Sequence, residues 1–222
     1  MPSFAHIASN YAEGPPKQVP GHAGLLRMTR LLLEECVPAD GRVLVLGAGG
    51  GMELSVFTDA QPSWTFDGVD PSAEMLETAR LATLNHAQRV HLHQGYIETA
   101  PEGPFDGATS ILTMHFIPRD QRLATLREMR RRMKPGAPLV TAHMSFPQDE
   151  QSREVWSKRH AAFAVSNGFN PAQAEAGRLA ILARLPILSP EEDEALMREA
   201  GFEGISLFYA AFDFKGWVAY AT

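Results

Sequence analysis

The chain has few of the features that mark secreted, membrane-bound or nucleic-acid-binding proteins. Its single cysteine, Cys36, cannot form a disulfide within the chain, and the apolar segment around it predicts a buried side chain. No stretch approaches the roughly 18 apolar residues of a membrane span, and no signal peptide begins the sequence. The formal net charge of −6 gives no attraction to polyphosphate. We therefore expect a cytoplasmic protein that binds neither membranes nor nucleic acid directly.

One basic segment, LREMRRRMKPG, runs against this overall acidity and raises the alternative of RNA binding. Its cations Arg130, Arg131, Arg132 and Lys134 fall at the end of a predicted helix, where positive charge complements the helix dipole. We therefore expect all four side chains to be solvated.

The 222 residues, 45% of them apolar, are enough to bury the core of one domain. From Arg42 onward short β-rich segments alternate with helical patterns, which is typical of βα units around a parallel sheet. Strands are predicted near Val43–Leu46, Thr65–Val69, Val90–Gln94, Gly107–Thr113, Leu139–His143, Ile205–Tyr209 and Trp217–Ala221. Helices are predicted at about Gly24–Cys36, Met52–Ala60, Ser72–Asn85, Arg119–Met133 and Glu191–Ala200, with one or two more in Glu150–Leu185.

The spacing of these segments predicts the sheet topology. The last two strands are separated by AAFDFKG, which is too short for a parallel crossover, so they should form an antiparallel hairpin. We therefore expect one Rossmann-like α/β domain over residues 1–222, with a seven-stranded, mostly parallel sheet and helices on both faces. Residues 1–40 would supply an N-terminal loop or helix, GPPKQVPG a loop over the sheet, and about 149–188 a helical cover.

The clearest motif is RVLVLGAGGGMELSVF, in which a strand runs into glycines and then into a helix. Glycines at this point let a ligand approach main-chain N–H groups, because no Cβ stands in the way. Gly47, Gly49 and Gly51 have the spacing GxGxG. A dinucleotide fingerprint would need glycine at Met52, and no Gly-Lys-Ser/Thr follows as a phosphate P-loop requires.

A carboxylate follows at the predicted end of the second strand, where Asp70 lies 19 residues after Gly51. A carboxylate there can accept hydrogen bonds from both hydroxyls of a ribose. Taken singly, the glycines are explained by a tight turn and Asp70 by a helix start. Their joint spacing within one βαβ unit favours a nucleoside cofactor.

The segments VLVLGAGGG, FDGVDPSAEMLETAR, VHLHQGYIETAP, FDGATSILTMHFIP and LREMRRRMKPGAPLVTAHMS resemble, in order and spacing, the motifs of class I S-adenosylmethionine (SAM) dependent methyltransferases. The resemblance implies that fold, with SAM as donor and S-adenosylhomocysteine (SAH) as product. It places Gly47, Ala48, Gly49 and Gly51 at the methionine part of SAM and Asp70 on the ribose. It also places Pro71 and Met75 near the adenosine, and Tyr96 and Ile97 beside the adenine.

Three positions depart from the pattern of that family. Val45, Tyr96 and Ile111 stand where polar or acidic residues are common. The loss of carboxylates near a sulfonium cation weakens its electrostatic complement.

SAM carries an activated methyl group, so a methyltransferase chiefly aligns the acceptor and excludes water. If a general base is used, His115 and then His143 are the candidates, because both follow strands at the carboxyl edge. The alternative is a histidine hydrogen-bonded at the sheet rim without chemistry. His91 and His93 lack a third ligand, so we expect no metal.

The segment from His160 to Tyr220 narrows the resemblance to carboxy-SAM synthases, which convert SAM with prephenate into a carboxymethyl donor for tRNA wobble modification. The VPGH segment implies that His22 touches the cofactor. An arginine in the position of Arg178 grips the new carboxylate in that family, and the alternative is an arginine on a solvated helix face. The aromatic residues expected to shape the acceptor pocket are Tyr11, Trp156, His160, Phe163 and Phe169.

The leading hypothesis is thus a SAM-dependent methyltransferase with a small-molecule acceptor. The alternatives are an enzyme similar to carboxy-SAM synthase and a non-catalytic SAM-binding protein. The sequence does not identify the acceptor, and it leaves open whether the protein is a homodimer.

Overall fold

The computed structural model describes residues 14–222, which build on one seven-stranded sheet. The strands are β1 (Arg42–Leu46), β2 (Thr65–Asp70), β3 (Val90–Gln94), β4 (Gly107–Ile111), β5 (Pro138–Met144), β6 (Phe202–Ala211) and β7 (Phe214–Ala221). The helices are α1 (Gly14–Gln18), α2 (His22–Glu34), α3 (Met52–Ala60), α4 (Ala73–Ala82), α5 (Arg119–Arg131), α6 (Glu150–Ser166), α7 (Pro171–Arg184) and α8 (Pro190–Glu199). The chain within 14–222 therefore has the predicted alternation of strands and helices.

The strand order is β3-β2-β1-β4-β5-β7-β6. Strands β1 to β5 pair in parallel, and β7 is antiparallel to both of its neighbours, β5 and β6. The predicted mostly parallel sheet with an antiparallel last strand is confirmed. From β1 the chain turns outward to β2 and β3 and then returns to β4 on the other side, so a crevice opens above the carboxyl ends of β1 and β4.

The core lies on both faces of the sheet because successive strand side chains point to opposite sides. Leu44 packs with Met129 of α5 and Met197 of α8 on one face. Val43 and Val45 pack with Leu33 of α2 and with Leu54 and Phe57 of α3 on the other. The helices thus enclose a sheet whose carboxyl edge is left for the connecting loops.

Several boundaries differ from those predicted. The GPPKQ part of the predicted loop forms α1, since prolines are tolerated in the first turn of a helix. Strand β4 ends at Ile111, two residues early, because Leu112 has a left-handed φ of 57°. Strands β6 and β7 are longer than expected and leave a two-residue turn, Phe212 and Asp213.

Two expectations about burial were wrong. Cys36 is exposed, because α2 ends at Glu34 and Cys36 lies just beyond it. Arg132 is only 2% exposed, since its guanidinium bonds to the carbonyl and carboxylate of Glu128. Arg122 of α5 is also buried and pairs with Asp193 of α8 at 3.1 Å. Side chains of this length reach core partners that helical periodicity does not reveal.

The predicted cover over residues 149–188 consists of two helices, α6 and α7. They pack beyond the end of β5, where Trp156, Ile181 and Leu185 contact a cluster that includes Met144 and Phe146. Within residues 14–222, no helix is long and apolar enough to cross a bilayer.

Candidate cofactor site

The glycine segment after β1 forms a tight bend that larger residues would not fit. Gly47, Gly49 and Gly51 have φ values of 79°, 48° and 79°, a region that favours glycine. A Cβ on Gly47 would lie 1.9 Å from the Thr113 hydroxyl, and one on Gly51 would lie 2.8 Å from the Cα of Ala79. The bend therefore touches both the loop after β4 and helix α4.

The prediction that this bend offers its main-chain N–H groups to a ligand needs correction. The Gly47 and Ala48 N–H groups donate to the Val69 carbonyl at 2.8 and 3.0 Å, and that of Gly51 donates to Ala48 at 2.9 Å. The N–H of Gly49 donates to Asp70 Oδ2 at 3.0 Å. Three of these donors hold the bend to the end of β2 and the fourth closes the bend on itself, so its contribution to binding is the space left by absent side chains.

Asp70 ends β2 and turns its carboxylate toward the bend. Oδ2 accepts the Gly49 N–H at 3.0 Å and Oδ1 accepts the Ser72 N–H at 2.9 Å. Burial raises the pKa of Asp70, and the Ser72 and Gly49 N–H groups act against that rise. A carboxylate has about four acceptor positions. Two therefore remain for a pair of hydroxyl donors such as those of a ribose.

The residues around Asp70 lie at the same edge. Pro71 is exposed, and Met75 enters the first turn of α4 with its N–H bonded to Ser72 Oγ at 3.2 Å. Tyr96 follows β3 with 70% of its surface exposed, whereas Ile97 is buried in the core. The Gly95 N–H donates to the Asp70 carbonyl at 3.0 Å, which holds Tyr96 beside Asp70.

His22 begins α2 after the left-handed Gly21, and burial lowers its pKa. The carbonyl of Pro20, the residue before Gly21, accepts a hydrogen bond from the Tyr209 hydroxyl at 2.5 Å. The VPGH segment is therefore tied to β6. Tyr11 lies outside the described residues.

Comparisons with known proteins agree with this geometry. Residues 43–136 match the methyltransferase domain family. Carboxy-SAM synthase of Actinobacillus succinogenes is 24% identical over 96% of this chain and 90% of its own length. The Chromohalobacter salexigens enzyme of the same name is 26% identical over 92% and 77%.

Over residues 43–136 the chain is thus similar to methyltransferase domains. Solved structures share its fold. A Nostoc punctiforme protein described as an O-methyltransferase aligns with a TM-score of 0.70 and 21% identity, over 99% of this chain and 60% of the other. Human N-acetylserotonin methyltransferase in complex with SAM aligns with a TM-score of 0.61 and 14% identity, over 91% and 53%.

Two histidines of this chain were predicted as candidate bases, and both are buried. His115 Nδ1 accepts the Met144 N–H at 3.3 Å, so in the neutral ring Nε2 carries the hydrogen. Burial, together with the charges of His143 and Arg122, lowers the pKa of His115 well below its usual value. In this arrangement His115 is a hydrogen-bond donor, and a role as base would need the other tautomer.

His143 faces the α5 and α8 layer rather than the crevice. Its Nε2 lies 3.1 Å from Asp193 Oδ2, and Asp193 in turn pairs with Arg122. Burial raises the pKa of Asp193, but His143 and Arg122 outweigh this effect and lower it. This geometry fits the alternative of a structural rim histidine better than catalysis.

Arg178 lies on α7 and is 8% exposed, so it is not on a solvated face. Its Nε and Nη2 donate to Glu175 at 2.8 and 2.6 Å, and its Nη1 donates to Glu154 at 2.9 Å. The guanidinium fork thus binds two carboxylates of the chain. To grip a ligand carboxylate, Arg178 would have to exchange one of them.

The predicted pocket aromatics connect the cover to the β6–β7 turn. His160 Nδ1 lies 3.0 Å from Asp213 Oδ2, and the rings of Phe163 and Phe212 meet at 6.0 Å. These contacts fix α6 on the sheet.

One residue of the site was missed by sequence reasoning. Glu53, in the first turn of α3, is 6% exposed and accepts a 2.6 Å hydrogen bond from the Thr109 hydroxyl of β4. Burial raises the pKa of Glu53 to about 8, and the Thr109 bond lowers it in part. The available signal was its place four residues before Phe57, on the buried stripe of α3.

The site fits SAM on two observations of this chain. Asp70 keeps free acceptor positions beside the bend, and the bend itself has no side chains to fill the crevice. Gly47, Ala48, Gly49 and Gly51 would line the methionine part, and Asp70 would hold the ribose.

Proposed function

We propose that this protein transfers a methyl group from SAM to a small-molecule acceptor. The observation that carries the proposal is the Asp70 carboxylate, held against the glycine bend with acceptor positions to spare. The methyltransferase domain over residues 43–136 supports it. We also propose one cytoplasmic domain, on the evidence of length, charge and the single cysteine.

SAM supplies an activated methyl group on a cationic sulfur. The residues of the chain then have to hold the donor, orient the acceptor and exclude water. Alignment of this kind is worth up to about 7–11 kcal/mol of the barrier. The neutral His115 can contribute by donating from Nε2 to an acceptor oxygen, which orients the acceptor without removing a proton.

Calorimetric titration with SAM, SAH and NADH tests the cofactor. Loss of the charged acceptor in Asp70→Ala should weaken SAM binding by roughly 10- to 100-fold, since a hydrogen bond to a charged group is worth about 1.5–3 kcal/mol. The matched control is Asp120→Asn, which removes an exposed carboxylate at the start of α5. Tight NADH binding without SAM binding, or full SAM affinity in Asp70→Ala, would contradict the proposal.

The acceptor is sought by incubating the protein with methyl-labelled SAM and pools of small molecules. A labelled product supports methyl transfer. SAM binding without any labelled product would favour the non-catalytic alternative.

A second candidate function is the modification of SAM itself. It is favoured by the relatives named carboxy-SAM synthase, which match nearly the whole chain. Arg178 would then have to release Glu154 or Glu175 to bind the new carboxylate. Incubation with SAM and prephenate, followed by mass spectrometry, tests this: the cofactor should gain the mass of CO2, and an unchanged cofactor would count against it.

A further inference from the structure

Glu53 lies beneath the crevice in which the proposed function places SAM. It belongs to the first turn of α3, two residues after the last glycine of the bend. Its Oε1 accepts the hydroxyl of Thr109, and no residue of the described range 14–222 donates to its Oε2. A side chain that could extend into solvent at a helix start is instead directed into the sheet.

The sheet register shows which strands Glu53 lies against. Thr109 pairs with Val45 across the β1–β4 ladder, and these are the two strands that flank the crevice. Thr109 is two residues before the end of β4, so the carboxyl group lies roughly 7 Å below that end at about 3.3 Å per residue. Above it, Gly47 abuts Thr113. The carboxyl group is thus buried under the point where β1 and β4 open.

No charged neighbour accounts for a carboxyl group in this position. Helices α2 and α4 pack against α3, and apart from the buried His22 their ionisable side chains bond to one another or are exposed. The ionisable groups on them are His22, Arg27, Arg30 and Glu34 on α2, and Glu74, Glu77 and Arg80 on α4. Within the described residues, only burial and the Thr109 hydroxyl perturb Glu53. The cross-strand neighbours of Thr109, Val45 and Val140, are neutral.

We propose that Glu53 is the counter-charge for the cationic sulfur of bound SAM, so that the protein loses the Glu53 proton to solvent on binding SAM but keeps it on binding SAH. The proposal rests on SAM being the ligand of this crevice. In the empty protein, burial keeps the carboxyl neutral near pH 7. A cation above it favours the carboxylate, and the O–H bond then breaks with release of the proton to water.

Because SAM binding would release the Glu53 proton and SAH binding would not, the affinities for the two ligands should depend differently on pH. SAM and SAH share the adenosine, the amino group and the carboxylate, and they differ in the charge on sulfur. If SAM lowers the pKa of Glu53 by one unit, the ratio of SAM to SAH affinity rises close to tenfold as the pH increases from 6 to 9. SAM binding at pH 7 then also releases about 0.4 of a proton.

The experiment is calorimetric titration of the full chain with SAM and with SAH at pH 6 to 9, in two buffers that differ in ionisation enthalpy. The wild type should show the rising ratio and the proton release with SAM alone. Glu53→Gln keeps the acceptor for Thr109 but cannot ionise, so its ratio should stay flat. Thr109→Val removes the hydrogen bond that favours the carboxylate, so in this variant the rise in the ratio of SAM to SAH affinity should move to higher pH.

Glu77→Gln is the matched control, since it removes an exposed carboxylate from α4 and should behave as the wild type. A flat ratio in the wild type, or equal proton release with SAM and SAH, would overturn the role of Glu53 while leaving SAM binding intact. No SAM binding at any pH would overturn the proposed function, and this inference with it.

Discussion

The buried Glu53 makes a prediction about the empty protein that needs no ligand. Its pKa is about 8 in the folded state against 4.5 as the reference value, so the native chain holds a proton that the unfolded chain has lost. The stability that this proton contributes is complete below pH 4.5 and is lost as the pH rises through 8. At about 1.36 kcal/mol per pKa unit, the whole difference is about 5 kcal/mol.

The Glu53→Gln variant isolates this contribution. Glutamine has nearly the same volume and can accept the Thr109 hydroxyl, but it stays neutral at every pH. The variant should therefore be within about 1 kcal/mol of the wild type at pH 5. It should become more stable than the wild type by about 4 kcal/mol at pH 8, because only the wild type then favours ionisation on unfolding.

Urea unfolding of both proteins, freed of ligand, at pH 5, 6, 7 and 8 measures the difference. The two free energies of unfolding are subtracted at each pH, which cancels the contributions of the other titrating groups because the two proteins share them. Glu77→Gln, which removes a solvated carboxylate, should show no such trend. A stability advantage of the Glu53→Gln variant that stays constant from pH 5 to pH 8 would refute the reasoning, since it would mean that Glu53 ionises as readily when folded as when unfolded.

Two further substitutions test the bend and the buried ion pair. Gly51→Ala should lower the free energy of unfolding by more than the ~1–2 kcal/mol that a left-handed alanine costs, because its Cβ also meets Ala79. The control in urea unfolding is Gly136→Ala, where φ is 78° and the added Cβ would meet open space. Equal losses of stability in the two variants would contradict the close contact at Gly51. Asp193→Ala should lower the free energy of unfolding by about 3–5 kcal/mol, because it leaves Arg122 and His143 buried without their carboxylate. Glu199→Ala breaks an exposed pair with Arg127 and should lower it by about 0–1 kcal/mol. Similar losses in the two variants would show that burial of the Asp193 pairs does not matter.

The sequence predicted the parts of the molecule that local patterns encode. A capping box of Ser189 and Glu192 starts α8, close to the predicted start at Glu191, and such a cap depends on residues only three apart. The glycine bend and Asp70 meet as expected, since both follow neighbouring parallel strands whose ends share one edge. Strand β4 was extended too far, because nothing in its apolar run announces the left-handed Leu112.

Long-range polar pairs could not be predicted in this way. Arg122 and Asp193 are 71 residues apart, and each by itself is typical of a solvated helix surface. Glu53 likewise looks like an ordinary acidic residue in a first helical turn, where the dipole favours it. Its burial depends on how α3 packs against β4, whose Thr109 lies 56 residues away in the sequence.

The two carboxyl groups at the carboxyl end of the sheet are set up in opposite ways. Asp70 is partly exposed and receives two N–H donors, which act against the rise in its pKa that burial causes and leave two acceptor positions for ribose hydroxyls. Glu53 is buried and receives one hydroxyl, so it stays neutral until a cation arrives. A loss of affinity that SAM and SAH share therefore points to Asp70, whereas a loss confined to SAM points to Glu53. Under the proposed function, the adenosyl group and the methylated sulfur would be recognised by chemically separate parts of one site.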